Sequence, residues 1–103
     1  MTIKFIDTVG SASVGGKIAD AELHFDGGPL DGLKLIGFGV WERRTGGRNV
    51  TYPARQYSVN GERRSFALLR PADLGTAQDR LRDLILDAYA AHEAQRDQVE
   101  TLA

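Results

Sequence analysis

LKLIGFGVWERR, residues 33–44, is the most strand-like segment of this chain. Its apolar residues alternate with a period of two, which is typical of a β-strand. The alternation predicts one face of Ile36, Phe38 and Val40 and a second face of Leu33, Leu35, Gly37, Gly39 and Trp41. A strand that is apolar on both faces is usually central in its sheet and covered on both sides. Gly37 and Gly39 leave room on the second face, where a helix or another chain could approach closely.

A hairpin with a long loop is predicted before this strand. Residues 2–9 predict a short strand with Ile3, Phe5 and Val9 on one face. Residues 17–25 alternate between apolar and polar, which predicts a half-buried strand. Its core face comprises Ala19, Ala21, Leu23 and Phe25, and its other face Ile18 and Asp20. Residues 10–16 are Gly, Ser, Ala and Val, which is typical of a flexible turn.

A second hairpin is predicted after the strand. Asn60-Gly61 lies between two strand-like runs, residues 49–59 and 62–69, and this dipeptide is the strongest short hairpin signal. A two-residue loop at this dipeptide fixes the register of the two strands and therefore which residues are cross-strand partners. One face of the ribbon then carries Arg55, Tyr57, Arg64 and Phe66, and the other Tyr52, Ala54, Ala67 and Leu69. Because Pro53 has no N–H to donate, we expect an edge strand or a bulge at that position.

One helix is predicted at the C-terminal end. Thr76, followed three residues later by Asp79, resembles a capping box, and the helix is expected from about Ala77 to Gln95. Its apolar stripe at helical spacing is Leu81, Leu84, Ile85, Ala88, Ala91 and His92. Leu86 and Tyr89 lie off this stripe. Leu86 is therefore expected to be either exposed or part of a subunit contact.

Composition indicates one ordinary globular domain. The chain has 103 residues, of which 42% are hydrophobic and 26% charged, and it has no cysteine. We expect an α+β domain over residues 1–97, an antiparallel sheet of four or five strands followed by one C-terminal helix, with a frayed tail over 98–103. The longest apolar run is too short to span a membrane. A chain without cysteine fits a reducing compartment, so we expect a cytoplasmic protein.

Charge is segregated along the chain. Residues 1–41 sum to −2, residues 42–70 to +5 and residues 71–103 to −4. Every basic residue of the middle block is arginine, whose planar guanidinium matches phosphate geometry and stacks on rings. Two interpretations stay open: a nucleic-acid surface, or arginines that pair with the acidic helix of the same chain or of a partner subunit.

Arginine interleaved with aromatic residues is the constellation that nucleic-acid binding requires. Guanidinium groups release counterions from phosphates, and exposed rings can stack on bases. The predicted nucleic-acid-binding residues are Arg43, Arg44, Arg48, Arg55, Tyr57, Arg63, Arg64 and Arg70. The alternative is cross-strand packing of Tyr57 on Arg64 and of Phe66 on the stem of Arg55, which needs no ligand.

No catalytic, cofactor or metal site is predicted, and we expect neither an enzyme nor a small-molecule substrate. Residues 10–17, GSASVGGK, do not match a phosphate-binding loop, because Ser11 stands where the loop needs glycine and Ile18 stands where it needs Ser or Thr. A hairpin turn is the better interpretation. His24 and His92 are the only histidines, and neither has a second histidine at metal-ligand spacing.

Residues 33–93 resemble the SpoVG family (stage V sporulation protein G, or septation regulators). The strand LKLIGFGV (33–40) leads into a glycine turn, VTYPARQ (50–56) is similar to the family signature V-x-M-P-S-[KR]-[KR], and an Asn60-Gly61-Glu62 turn follows. LRDLILDAY (81–89) is similar to the family's ending. Tyr52, Ala54 and Gln56 depart from the signature, and residues 72–75 replace a polar stretch that the family has before its helix.

The resemblance implies a small bacterial dimer with a bent antiparallel sheet and one helix, in a family of which several members bind nucleic acid as regulators. It favours Arg55 and the arginines of residues 63–70 as phosphate contacts. The predicted dimer contact comprises Gly37, Gly39, Trp41 and Leu86. We therefore expect a homodimeric nucleic-acid-binding regulator. The alternative is a protein-interaction module, such as a phage or plasmid accessory protein, that binds an acidic partner.

Overall fold

The computed structural model describes residues 1–8, 16–72 and 75–102, with side chains as far as Asp97. Its strands are β1 (Thr2–Asp7), β2 (Lys17–His24), β3 (Lys34–Glu42), β4 (Arg48–Thr51), β5 (Ala54–Val59) and β6 (Glu62–Ala67), and its helix is α1 (Ala77–Leu102). A short 3-10 turn, Gly28–Leu30, precedes β3. β1 to β4 form an antiparallel sheet in chain order, and β5 and β6 form a separate two-stranded sheet. The predicted α+β fold, with a C-terminal helix after the sheet, is confirmed.

The strand predicted over residues 49–59 is divided in two at Pro53. β4 pairs with β3 as far as Thr51, opposite Gly39, and β5 begins at Ala54. Pro53 has no N–H with which to continue the ladder. Its carbonyl instead accepts a hydrogen bond from the Leu68 N–H at 2.9 Å, which extends the second hairpin by one pair. Pro53 therefore ends one sheet and begins the other.

A β-bulge in β3 changes the predicted faces of this strand. Ala21 pairs with Phe38 and Leu23 pairs with Leu35, so β3 has one more residue than β2 in this interval. Gly37 adopts a φ of 107°, which a residue with a Cβ rarely adopts. Leu35 is consequently on the core side with Phe38, whereas Ile36 is 58% exposed. The prediction that Ile36 shares a face with Phe38 and Val40 was wrong because strict alternation assumes an uninterrupted strand.

Helix α1 packs on one face of the four-stranded sheet. Ala19 and Ala21 are fully buried at the centre of this face, as predicted, and their small side chains let the helix approach closely. The Tyr89 ring fills the space and packs edge-on against Phe5, with ring centroids 5.2 Å apart. Ile85, with no exposed surface, completes the core contact of the helix.

The buried stripe of α1 differs from the predicted one. Leu81, Ile85 and Tyr89, four residues apart, face the sheet, and Leu86 packs beside them. Leu84 is 47% exposed. The prediction that Leu84 lies on the stripe and that Leu86 and Tyr89 lie off it was wrong. Rotating the helix toward Tyr89 buries its largest ring, which outweighs the loss of Leu84.

The helix begins at Ala77 as predicted but continues to Leu102, beyond the expected end near Gln95. Arg96 lies 3.3 Å from the Asp7 carboxylate of β1, so contacts with the sheet extend past Gln95. The predicted frayed tail over residues 98–103 stays a prediction.

β5, β6 and their turn, residues 54–67, project from the rest of the molecule; we call this segment the arginine hairpin. All of its residues are exposed except Ala67, which is half-buried. The Cα radius of gyration of the chain is 15.7 Å, whereas a compact chain of this length has about 13 Å. The positive φ angles of Asn60 (52°) and Gly61 (81°) are those of a type I′ turn. The predicted Asn-Gly hairpin and its pairs are confirmed.

Candidate nucleic-acid interface

The register of the arginine hairpin divides its side chains between two faces. Arg55 is opposite Phe66, and Tyr57 is opposite Arg64. Antiparallel partners share a face, so these four residues lie together with Val59 and Glu62 on what we call the aromatic face. Gln56, Ser58, Arg63 and Ser65 lie on the other, polar face. The predicted face of Arg55, Tyr57, Arg64 and Phe66 is therefore confirmed.

Two aromatic rings stand side by side on the aromatic face. The ring centroids of Tyr57 and Phe66 are 5.6 Å apart, with their planes at 58°. The residues are 40% and 37% exposed, respectively. The guanidinium carbon of Arg70 lies 5.6 Å from the Phe66 centroid, and its Nε donates to the Ala67 carbonyl at 2.7 Å. Arg70 thereby lies at the base of the hairpin, next to Phe66.

The three arginines of the hairpin differ in how they are bound. Arg64 Nη2 donates to the Glu62 carboxylate at 3.2 Å, an exposed ion pair that contributes little to stability. Within the described residues, Arg55 and Arg63 have neither an ion pair nor a hydrogen bond. Arg63 lies beside Gln56 and Ser58 in a shallow recess of the polar face. The hairpin thus presents two guanidinium groups that no acid of the described chain neutralises.

Arg48 is bound inside the sheet–helix body instead of on an exposed surface. Its Nη2 donates to both carboxylate oxygens of Glu93, at 3.0 and 2.7 Å. Its guanidinium carbon lies 5.0 Å from the centroid of the Tyr89 ring. The hydrogen bond with Glu93 raises the pKa of Arg48 above its ordinary value. For this residue the structure matches the alternative interpretation, pairing with the acidic helix of the same chain.

Arg43 and Arg44 are exposed but lie far from the hairpin along the chain. Both belong to the turn between β3 and β4, closed by the Arg43 N–H donating to the Gly47 carbonyl at 3.0 Å. This turn precedes β4, whereas the hairpin follows the opposite end of β4. The arginines of the middle block therefore do not form one continuous patch.

Side chains of the same chain lie against the two glycines of the predicted dimer contact. A Cβ on Gly39 would lie 2.8 Å from both Trp41 Nε1 and Thr51 Oγ1. The Trp41 indole N–H donates to that Thr51 hydroxyl at 2.8 Å. A Cβ on Gly37 would lie 2.9 Å from the Cβ of Pro53. The room expected beside the two glycines is thus filled from within the chain, and Leu86 packs against its own core.

The remaining candidates are engaged in local contacts. His24 lies 3.0 Å from a Glu22 oxygen and His92 lies 2.9 Å from Asp7. No cluster of three or more histidine or acidic side chains able to hold a metal ion is found in residues 1–8, 16–72 and 75–97. Among the described residues, no helix is both long enough and apolar enough to cross a membrane. Val9 and most of the loop at 10–16 lie outside the described residues.

Phe66 lies on the aromatic face but is absent from the predicted set of nucleic-acid-binding residues. Its cross-strand position opposite Arg55 was predictable from the Asn-Gly turn, and that register was the signal that could have added it. No protein-family model matches the chain, no curated protein is significantly similar to it, and no solved structure matches it. The SpoVG resemblance therefore stays a prediction that rests on the residues quoted for it.

Proposed function

We propose that this chain is a non-enzymatic nucleic-acid-binding regulatory protein whose arginine hairpin contacts phosphates. The observation that carries the proposal is the pair of unneutralised guanidinium groups, Arg55 and Arg63, on a projecting hairpin that also exposes two aromatic rings. Guanidinium groups supply affinity by displacing counterions, and rings supply contacts with bases. Arg64 adds a third cation once phosphate competes for it with Glu62.

Charge elsewhere in the chain supports an approach from the hairpin end. Asp79 and Asp83, whose side chains are 62% and 67% exposed, share Arg82 as their ion-pair partner at 3.3 and 3.4 Å. Residues 77–97 of the helix nevertheless have five acidic and three basic side chains, a net negative charge that disfavours a polyanion on the helix side. The hairpin itself has three arginines and one glutamate, a net charge of +2. Its six-residue strands extend about 20 Å, enough to follow several nucleotides.

The direct test is a fluorescence-anisotropy titration of labelled oligonucleotides at two salt concentrations. Affinity should fall as salt rises, because counterion release contributes less free energy at high salt. The double variant Arg55→Gln/Arg63→Gln should bind more weakly and have a smaller salt slope. Arg43→Gln/Arg44→Gln is the matched control, since it removes the same charge at the other end of β4. Equal losses in both variants, or an unchanged slope in the first, would contradict the proposal.

A second candidate function is a protein-interaction module that binds an acidic partner. The features that favour it are the exposed apolar residues of the hairpin region, Val59 at 39% and Leu68 at 59%. Pull-down from a lysate with and without nuclease separates the two candidates. Proteins retained through nucleic acid are lost after nuclease treatment, whereas a direct acidic partner stays bound.

The proposal includes a bacterial homodimer, because the SpoVG resemblance implies one, and a cytoplasmic location, because a chain without cysteine fits a reducing compartment. Sedimentation of the purified chain should then give twice its mass of 11.2 kDa. A chain that sediments as a monomer at all accessible concentrations would remove the dimer and leave the hairpin proposal standing.

A further inference from the structure

We infer that the hairpin's preferred ligand is single-stranded nucleic acid, with unpaired bases stacked on Tyr57 and Phe66. This inference rests on the proposed function and specifies its ligand. It depends on the spacing of the rings, the position of a guanidinium opposite each ring, and the small number of cations that the hairpin offers.

The number of available cations is too small for a typical duplex complex. Duplex binding draws most of its affinity from phosphate contacts, and proteins that bind duplexes well make about 6–10 of them. The hairpin offers Arg55 and Arg63, with Arg64 held by Glu62 at 3.2 Å. The whole chain has a net charge of −1. Affinity for nucleic acid therefore needs a contribution that does not come from phosphates.

The exposed rings supply that contribution only to unpaired bases. Both faces of a base inside a duplex are covered by its neighbours, whereas a single strand can turn its bases onto a protein ring. Stacking of this kind changes affinity about fivefold or more per base. Tyr57 and Phe66 keep more than a third of their surface exposed. They are thus available without any rearrangement of the core.

Ring spacing favours splayed bases over stacked ones. The Tyr57 and Phe66 centroids are 5.6 Å apart, and the Arg70 guanidinium carbon lies 5.6 Å from the Phe66 centroid. Successive bases in a duplex are only about 3.4 Å apart. The spacing of these groups therefore does not match that of stacked duplex bases. Bases separated along an extended single strand fit this wider interval.

Each ring also has a guanidinium directly opposite it on the neighbouring strand. Arg64 is the cross-strand partner of Tyr57, and Arg55 is the partner of Phe66. A ring beside a guanidinium provides a surface for one base and a cation for one phosphate. The Phe66–Arg55 pair offers both directly, whereas in the Tyr57–Arg64 pair a phosphate has to displace Glu62 from Arg64.

The test compares three labelled probes of equal length: a single-stranded oligonucleotide, its duplex, and an abasic strand that keeps the phosphates and lacks the bases. We expect the single strand to bind at least about tenfold more tightly than either of the others. Tyr57→Leu and Phe66→Leu should each lower single-strand affinity about fivefold or more and leave abasic binding unchanged.

Matched variants separate stacking from damage to the hairpin. Phe66→Tyr keeps a ring and should retain affinity. Val59→Ala removes apolar surface from the same face without removing a ring and should also bind normally. Loss of affinity in Val59→Ala equal to that in Phe66→Leu would overturn the inference.

Failure of the inference is distinguishable from failure of the proposed function. If the duplex or the abasic strand binds as tightly as the single strand, base stacking is excluded and phosphate binding by the hairpin stands. If none of the three probes binds, the proposed function fails, and the inference fails with it.

Discussion

Arg48 and Arg55 lie on either side of Pro53, seven residues apart, and have opposite environments. In the sheet–helix body, Arg48 lies between the Tyr89 ring and the Glu93 carboxylate. On the arginine hairpin, Arg55 is exposed beside Phe66 and pairs with no acid among the described residues. The body uses its cation to hold the helix against the sheet, and the hairpin leaves its cations accessible to a ligand.

The same contrast holds for the aromatic residues. Phe38 has no exposed surface and packs edge-on against Tyr52, with centroids 5.4 Å apart. Phe66 keeps 37% of its surface exposed. Basic and aromatic residues therefore indicate a candidate ligand surface only when those bound or buried within the sheet–helix body, such as Arg48 and Phe38, are left out of the set. The predictions below test this division.

The largest expected difference is in the free energy of unfolding, when phenylalanine is replaced by alanine in the sheet–helix body and in the arginine hairpin. Phe38→Ala should lower the free energy of unfolding by about 3–5 kcal/mol, because it leaves a cavity in the core. Phe66→Ala should lower it by less than about 1 kcal/mol, since its ring is exposed. Denaturant unfolding of both variants measures the difference. Similar losses would show that the hairpin belongs to the folding core.

The junction between the two regions should be sensitive at Gly37. Gly37→Ala requires a left-handed backbone and brings a Cβ to 2.9 Å from Pro53, so we expect a loss of about 1–3 kcal/mol. Gly46→Ala has a comparable φ of 93° and open space around it. It is the control for backbone strain alone. The loss in Gly37→Ala should exceed that in the control when thermal unfolding is compared.

Arg48→Gln and Arg55→Gln should separate stability from binding. Arg48→Gln removes a half-buried ion pair and a ring contact and should cost about 1–2 kcal/mol, with little effect on oligonucleotide affinity. Arg55→Gln should change stability by no more than about 0.5 kcal/mol and weaken binding. Unfolding and anisotropy measured on the same preparations check both. Weaker binding by a fully folded Arg48→Gln would place this residue in the interface.

Acid should destabilise the body modestly through two carboxylates, the half-buried Glu22 and the exposed Asp26. Glu22 is hydrogen-bonded with His24 and Lys34, and these contacts lower the pKa of its carboxyl group. Asp26 accepts hydrogen bonds from the N-terminal amine and from Thr2, which lower its pKa in the same way. Because these pKa values are lowered in the folded state, each ionised carboxylate stabilises the protein at pH values above its ordinary pKa, 4.5 for Glu22 and 3.8 for Asp26. This stabilisation is lost as the pH falls through the folded-state pKa. The unfolding midpoint should therefore decrease once the pH is below about 4.5. Glu22→Gln should reduce the drop, and an unchanged profile would contradict this assignment.

Local signals in the sequence predicted most of the fold. The Asn60-Gly61 turn predicted the hairpin register, and alternation in β2 predicted the buried Ala19 and Ala21. The errors arose where tertiary packing decides. The regular alternation of β3 did not indicate that a bulge occurs at Gly37. Helical spacing alone did not determine whether Leu84 or Tyr89 faces the sheet.

The sequence predicted which residue types make up the candidate site and how they are arranged within the hairpin. It did not predict where the other arginines of the middle block lie. The hairpin arginines and Tyr57 followed from register, because cross-strand pairing is local. The pairing of Arg48 with Glu93 joins residues 45 positions apart and depends on where α1 crosses β4. The separation of Arg43 and Arg44 from the hairpin likewise required the break at Pro53. Sequence alone could not distinguish these three arginines from those of the arginine hairpin.

The most direct test is a ¹H–¹⁵N NMR titration of the 11.2 kDa chain with a single-stranded oligonucleotide. Amide shifts should be largest in residues 54–67 and small in α1 and in the turn that contains Arg43 and Arg44. Shifts that are largest in that turn or in α1, with the hairpin amides unmoved, would contradict the assignment of the interface to the arginine hairpin.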